Sequence, residues 1–316
     1  MTNTIRLGGL LLAALLTGAA TTAAAQETWY PSKYGANDLR GALNNLSPEG
    51  VKRAVSLVKT GKTYALGVPT GPDSPAYGDR AYRIEILQTP PAGDPPQGDN
   101  KVTAHDEKVT TSMGIGTQLD GFGHLGIDHR YYNGLKGADL RTPKGLAKLD
   151  LSGLPPIVTR GILLDMAKYQ GKAMLEGGHV IKRADIEAVL KARNLTIGKG
   201  DVVIFHTGWL KTADTDKAKF LATEPGIGED TAHWLADQGV VAIGADTVAL
   251  EHIPFADPKR EWIVHQTLLA KRGVHILENI NTAELAADGV GEFLFVLGAP
   301  RFVGTVQVVI NPIAIR

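Results

Sequence analysis

The 316-residue sequence contains no cysteine, and this absence removes several kinds of chemistry. The chain can have no thiol nucleophile, no cysteine metal ligand and no disulfide bond. Any metal site must therefore be built from imidazole, carboxylate and amide groups and from water. The stability of the folded chain must come from its core alone.

The sequence also lacks an excess of either charge. Lys and Arg together number 33, as do Asp and Glu, and no run of basic residues is longer than two. Nucleic acid and anionic membrane surfaces are therefore not expected as partners. Three familiar catalytic signatures, GxSxG, GxxxxGK[ST] and HExxH, are missing as well. A catalytic site would have to use another arrangement of residues.

The N-terminus has the layout of a secretory signal peptide. Arg6 precedes an apolar run over residues 7–20, and the small residues 23–25 fit a cleavage site before Gln26. We predict a signal peptide over residues 1–25, a single domain over residues 26–316, and a periplasmic or secreted mature protein without membrane contact. An uncleaved membrane anchor is the alternative, although the apolar run is short for a span.

Strands and helices are predicted to alternate along most of the chain. Apolar runs predict strands at 63–68, 82–88, 160–166, 201–209, 240–247, 274–280 and within 292–309. Helical patterns lie at 184–194, 229–239, 261–272 and 282–289. Four prolines and two glycines make residues 89–100 a predicted surface loop. This alternation is typical of an α/β domain with a largely buried sheet.

The stretch GTQLDGFGH, residues 116–124, has three glycines among nine residues. That composition favours a loop that brings backbone and polar side chains close to a ligand or a metal. Gln118 and Asp120 are two residues apart and point to the same side if this segment is extended. The glycines would then let His124 reach back toward them.

Two further residues stand out later in the chain. His265 lies in the helical run WIVHQTLLAKRG, and Glu278 ends the apolar strand VHILENI. Acids rarely end such strands unless they are paired or bind a cation. A structural His265 and a Glu278 paired with a base are the alternatives, and spacing alone does not connect these residues with Asp120. Structural roles are expected for a further polar set, which comprises His105, Asp106, His129, His206, Asp246 and Glu251.

Several motifs in order resemble the cyclase family of metal-dependent hydrolases, which includes bacterial kynurenine formamidases and isatin hydrolases. They are GTQLDGFGH, YYNG, RGILLDM, GDVVIFHTGW, VVAIGADT and HQTLLAKRGVHILENI. The resemblance extends from about residue 105 to the C-terminus. It implies a swivelling β/β/α fold and a homodimer or homotetramer.

The family's first site pattern is HxGTHxDxPxH, of which this chain keeps Asp120 and His124. Gly114 and Gln118 stand where the two metal-binding imidazoles would be, and Phe122 replaces the proline. The resemblance implies that Asp120, His265 and Glu278 bind one divalent ion, Mn²⁺ or Zn²⁺. Gln118 would be a weak fourth ligand or a donor to substrate, and His124 would be the general acid/base.

The spacing of the two later ligands also departs from the family. Their separation is about one residue longer than the resemblance implies, so a small insertion is predicted before Gly273.

We therefore expect a metal-dependent hydrolase of a small cyclic or aromatic amide, imide or lactone, with Phe122 and Trp209 lining the pocket. Two alternatives stay open. One is a strict kynurenine formamidase of tryptophan catabolism. The other is a non-catalytic periplasmic ligand-binding protein that has lost its metal.

Overall fold

The computed structural model describes residue 1 and residues 28–316. Apart from Met1, the predicted signal peptide lies outside the described residues. Within the described part, no helix combines the length and the apolar character needed to cross a membrane.

Nine strands form one sheet in the order β1-β15-β13-β7-β9-β11-β12-β4-β14. Their ranges are β1 Thr63–Ala65, β4 Gln118–Asp120, β7 Ile157–Asp165, β9 Val202–His206, β11 Ala242–Ala245, β12 His275–Glu278, β13 Glu292–Leu297, β14 Gln307–Val309 and β15 Ile313–Ile315. Three two-stranded pairs accompany it, made by β2 Tyr82–Thr89 with β3 Ala104–Thr111, β5 Arg141–Thr142 with β6 Gly145–Leu146, and β8 Val180–Ile181 with β10 Gly226–Ile227.

Helices cover the sheet and connect its strands. The α-helices are α1 Pro48–Val55, α2 Gly137–Leu140, α3 Met166–Tyr169, α4 Arg183–Ala192, α5 Thr212–Thr215, α6 Lys217–Ala222, α7 Glu229–Asp237, α8 Ile263–His265 and α9 Ala283–Ala287. Four 3₁₀ turns lie at Gly41–Asn45, Tyr132–Gly134, Leu151–Gly153 and Trp209–Lys211. A π-helix, Gln266–Arg272, follows α8 directly.

The centre of the sheet is parallel and buried on both faces. Strands β7, β9, β11 and β12 run parallel, whereas the strands on either side of them pair antiparallel. Because side chains alternate between the faces of a strand, neighbours in the chain enter different cores. Leu163 and Ile204 pack in one core, and Leu164 and Phe205 pack in the other. The predicted α/β architecture is confirmed.

Two local predictions need correction. The stretch 116–124 is not a loop throughout, because Gln118–Asp120 forms the buried strand β4 between β12 and β14. Strand β3 was not predicted, and it pairs with β2 to form an exposed hairpin around the predicted loop.

Candidate metal centre

Strands β12, β4 and β14 place four polar side chains on one face of the sheet. On β4, Gln118 lies opposite Glu278 of β12, and Asp120 lies opposite Gln307 of β14. Opposite residues of antiparallel strands point to the same side, and so do residues two apart on one strand. All four residues are buried. The Gln118 amide donates to Glu278 and to Asp120, and the Gln307 amide donates to Asp120 at 2.8 Å.

His265 joins this group from the end of α8. Its Nε2 lies 3.2 Å from Glu278 Oε1 and 3.6 Å from Asp120 Oδ2. One ligand atom from each of the three residues lies within 4.8 Å of the other two. The structure thus brings together three residues that are far apart in the sequence.

Glu251 fixes the orientation of the His265 ring. Its Oε1 lies 2.6 Å from His265 Nδ1 and accepts a hydrogen bond from the backbone N–H of the same residue at 3.1 Å. Nδ1 points at Glu251, so Nε2 is the ring nitrogen that faces the oxygens of Asp120 and Glu278. A neutral ring would then direct the lone pair of Nε2 at two carboxyl groups. The arrangement is repulsive unless a cation or a proton lies between them.

The pKa shifts indicate the same preference for positive charge. Burial lowers the pKa of His265, but hydrogen bonds to Asp120, Glu251 and Glu278 outweigh burial and raise this pKa well above its ordinary value. Burial, followed by the charge of Asp120, raises the pKa of Glu278 to about 7. Burial also raises the pKa of Asp120, but nearby His124 and His265 and the Gln307 amide hold it below its ordinary value.

The residues fit a divalent cation. Two oxygens near the group, Asp120 Oδ2 and Gln118 Oε1, are buried and have no hydrogen-bond partner among the described residues. Ligand atoms at about 2.1 Å from a tetrahedral ion lie about 3.4 Å apart, close to the 3.2 Å and 3.6 Å measured around His265 Nε2. Two carboxylates and one imidazole leave a coordination position open for water or substrate.

His124 lies at the edge of this group, beyond the end of β4. Its Nε2 is 3.3 Å from the Gln307 amide nitrogen, and its ring centroid is 6.3 Å from that of His265. Burial lowers the pKa of His124 more than the charge of Asp120 raises it. The imidazole is therefore neutral near pH 7 and can accept a proton.

A cavity of about 320 Å³ opens onto these residues. Cavities of this size accommodate small organic ligands. Its walls are Tyr77, Arg80, Gln118, His124, Leu125, Val248, Ala249, Trp262, His265 and Glu278. Trp262 has a φ of +57°, unusual for a bulky residue, and its ring packs edge-on against His265 with centroids 5.3 Å apart.

Phe122 and Trp209, which were predicted to line the pocket, are not among the residues that line this cavity. Phe122 stacks on His275 with ring centroids 4.2 Å apart and also contacts Tyr132. Trp209 is fully buried and packs with Phe220 in a separate cluster. Both aromatic rings fill the interior of the protein.

A family model described as "Putative cyclase" matches residues 64–252, more than half of the chain. The chain belongs to the cyclase family. The matched span contains Asp120, His124 and Glu251 and begins earlier than the motifs indicated. His265 and Glu278 lie beyond it, so their place beside Asp120 rests on the structure.

Solved structures of the cyclase fold cover most of this chain. One described as a novel cyclase is 29% identical, with a TM-score of 0.80, over 90% of this chain and 96% of that chain. Isatin hydrolase A from Ralstonia solanacearum is 15% identical, with a TM-score of 0.60, over 81% of this chain and 92% of its own. Comparison with curated proteins gives no significant match. The predicted swivelling β/β/α fold is confirmed by these structures.

Proposed function

We propose that this cyclase is a metal-dependent hydrolase of a small cyclic or aromatic amide, imide or lactone. The observation that carries the proposal is the convergence of Asp120, His265 and Glu278, in which the imidazole Nε2 faces two carboxyl groups. Structural relatives named isatin hydrolase support hydrolysis as the class of reaction.

Asp120, His265 and Glu278 would hold the ion, and Gln118 has a free oxygen for a fourth bond. When bound, a divalent ion polarises a carbonyl oxygen and lowers the pKa of a water molecule. Carboxylate and amide ligands favour Mn²⁺, whereas imidazole suits Zn²⁺.

The protein's own residues orient these groups and move the proton. Glu251 holds the His265 ring, while Gln118 and Gln307 hold the carboxylates by hydrogen bonds. His124 lines the cavity, and its imidazole would take a proton from the attacking water. The same imidazole would then return the proton to the nitrogen or oxygen of the leaving group.

The test compares Asp120→Asn with His124→Ala, using His105→Ala on the exposed strand β3 as a control. We expect Asp120→Asn to lose both bound metal and hydrolysis of N-formyl anilines, cyclic imides or lactones. His124→Ala should keep its metal while kcat falls by about 10²–10⁴-fold. The measurements are elemental analysis of the purified protein and steady-state kinetics.

Two outcomes would contradict the proposal. Wild-type protein that takes up no divalent metal after reconstitution would favour the non-catalytic binding protein. Normal turnover in both variants would remove Asp120 and His124 from the active site.

A further inference from the structure

Arg80 and Tyr77 bring two hydrogen-bond donors to the cavity beside the candidate metal centre. Both belong to the segment between β1 and β2. Arg80 Nη1 donates to the backbone oxygen of Gly114 at 3.0 Å, and the guanidinium forms no ion pair with a carboxylate within residues 28–316. A guanidinium has five N–H donors, so most of its capacity is unused.

The Tyr77 hydroxyl is a second unused donor. It is buried and has no hydrogen-bond partner among the described residues. Burial, followed by the charges of Glu224 and Glu278, raises the pKa of Tyr77, so the phenol stays protonated. A buried polar group without a partner is costly, and a bound acceptor would remove that cost.

The position of Arg80 depends on the glycine at residue 114. A Cβ atom on Gly114 would lie 2.8 Å from Arg80 Cζ and 3.0 Å from Gln307 Oε1. Any larger residue there would displace the guanidinium from the side of the cavity. The absence of a side chain at Gly114 therefore leaves the space that the Arg80 guanidinium occupies.

Arg80 forms no ion pair or hydrogen bond with Glu278 among the described residues, although its charge lowers the pKa of that acid. Glu278 already contacts the Gln118 amide through Oε2 and His265 Nε2 through Oε1. The guanidinium therefore remains available to a molecule in the cavity. Leu125, Val248 and Trp262 supply apolar walls for the rest of that molecule.

We propose that Arg80 and Tyr77 form a carboxylate-binding subsite, so that the substrate is an anion carrying a carboxylate close to the bond that is hydrolysed. A guanidinium binds a carboxylate through two parallel hydrogen bonds, and the phenol adds a third donor. The role as a substrate subsite rests on the proposed hydrolase function. Carboxylate binding by Arg80 and Tyr77 is independent of that function.

The test uses benzoate and benzamide, which share a ring and a shape but differ in charge. Isothermal titration measures their affinities for the purified protein as isolated and after chelator treatment. We expect benzoate to bind more tightly in both states. Arg80→Met should weaken benzoate by about tenfold to a hundredfold and leave benzamide unchanged, because hydrogen bonds to charged groups are strong.

Three further variants sharpen the comparison. Arg80→Lys should keep part of the preference for benzoate, and Tyr77→Phe should lose a smaller part of it. Arg83→Met is the matched control, because it removes the same charge from an exposed position on β2 and should bind like the wild type.

Several results would overturn the subsite. The first is a preference for benzoate that persists in Arg80→Met, and the second is a preference that disappears when the wild type is treated with chelator. The third is an equal loss of affinity for benzoate and benzamide in Arg80→Met. The fourth is a wild-type protein that binds neither compound. Failure of the hydrolase function is recognised separately. An Arg80-dependent preference in a protein without hydrolytic activity would contradict the function and leave the subsite in place.

Discussion

Among single residues, Glu251 orients the imidazole ring of the candidate ligand His265 from the side opposite the candidate metal centre. Its carboxylate accepts hydrogen bonds from the Nδ1–H and from the backbone N–H of His265. We predict that Glu251→Gln weakens metal binding by about 10–100-fold, because a neutral amide orients the ring less firmly and makes Nε2 a weaker base. Competition with a chromophoric chelator measures this affinity.

Glu224→Gln is the matched control for that variant. Glu224 is also a fully buried acid, and it accepts hydrogen bonds from the backbone N–H groups of Val248 and Ala249. Both variants replace a buried carboxyl group with an amide, but Glu224 forms no hydrogen bond with His265 among the described residues. Equal losses of metal affinity in the two variants would show that Glu251 acts through general packing.

Residue chemistry predicted part of the site. Asp120 and Glu278 were recognisable because they are acids next to apolar or glycine-rich stretches, and the family resemblance connected them with His265. Gln307, Arg80 and Tyr77 carried no such signal, because their roles arise from contacts made across the sheet or the cavity. Glu251 was noted but expected to be structural. Only the fold shows that it contacts His265.

At the level of secondary-structure elements, the π-helix 266–272 lies directly before Gly273, in the region where a small insertion was predicted. A π-helix has i→i+5 hydrogen bonds, so it accommodates an extra residue where an α-helix would not, and such turns are frequent at functional sites. The strand at Gln118–Asp120 was not foreseen because glycine was interpreted as a sign of a loop. Close packing explains Gly121, whose Cβ would lie 2.8 Å from Leu151 Cδ2 and from the backbone oxygen of Val306.

Gly41 shows how the N-terminal segment is packed against the π-helix. Its φ is +55°, and a Cβ there would lie 2.3 Å from the backbone oxygen of Gly273 and 2.7 Å from Phe122 Cζ. We predict that Gly41→Ala lowers the free energy of unfolding by about 2–4 kcal/mol, from the left-handed backbone together with overpacking. Urea denaturation measures the change.

Gly61→Ala separates these two causes. Gly61 has a φ of +73°, but no atom lies within 4 Å of its added Cβ. This variant should lose only the backbone contribution, about 1 kcal/mol. Equal destabilisation by the two substitutions would mean that the contact with Gly273 and Phe122 relaxes at no cost.

Across the whole molecule, the candidate metal centre joins parts of the chain that are distant in sequence. Asp120 comes from β4, Glu278 from β12 and His265 from α8, and the ligand atoms meet only when the sheet is assembled. A divalent ion should therefore bind the folded state far better than the unfolded state. Such binding couples metal affinity to global stability.

We predict that Mn²⁺ or Zn²⁺ raises the melting temperature of chelator-treated protein in proportion to the logarithm of its concentration. At about 100 times the dissociation constant the stabilisation is roughly 2.7 kcal/mol, or about 4 °C for a chain of this size. Asp120→Asn should remove this shift, whereas Asp106→Asn, on the exposed strand β3, should preserve it. Differential scanning fluorimetry measures both. The candidate centre has two acids, and the loss of one should weaken the binding of its ion. An undiminished rise in the melting temperature of Asp120→Asn would therefore mean that the stabilising ion binds elsewhere.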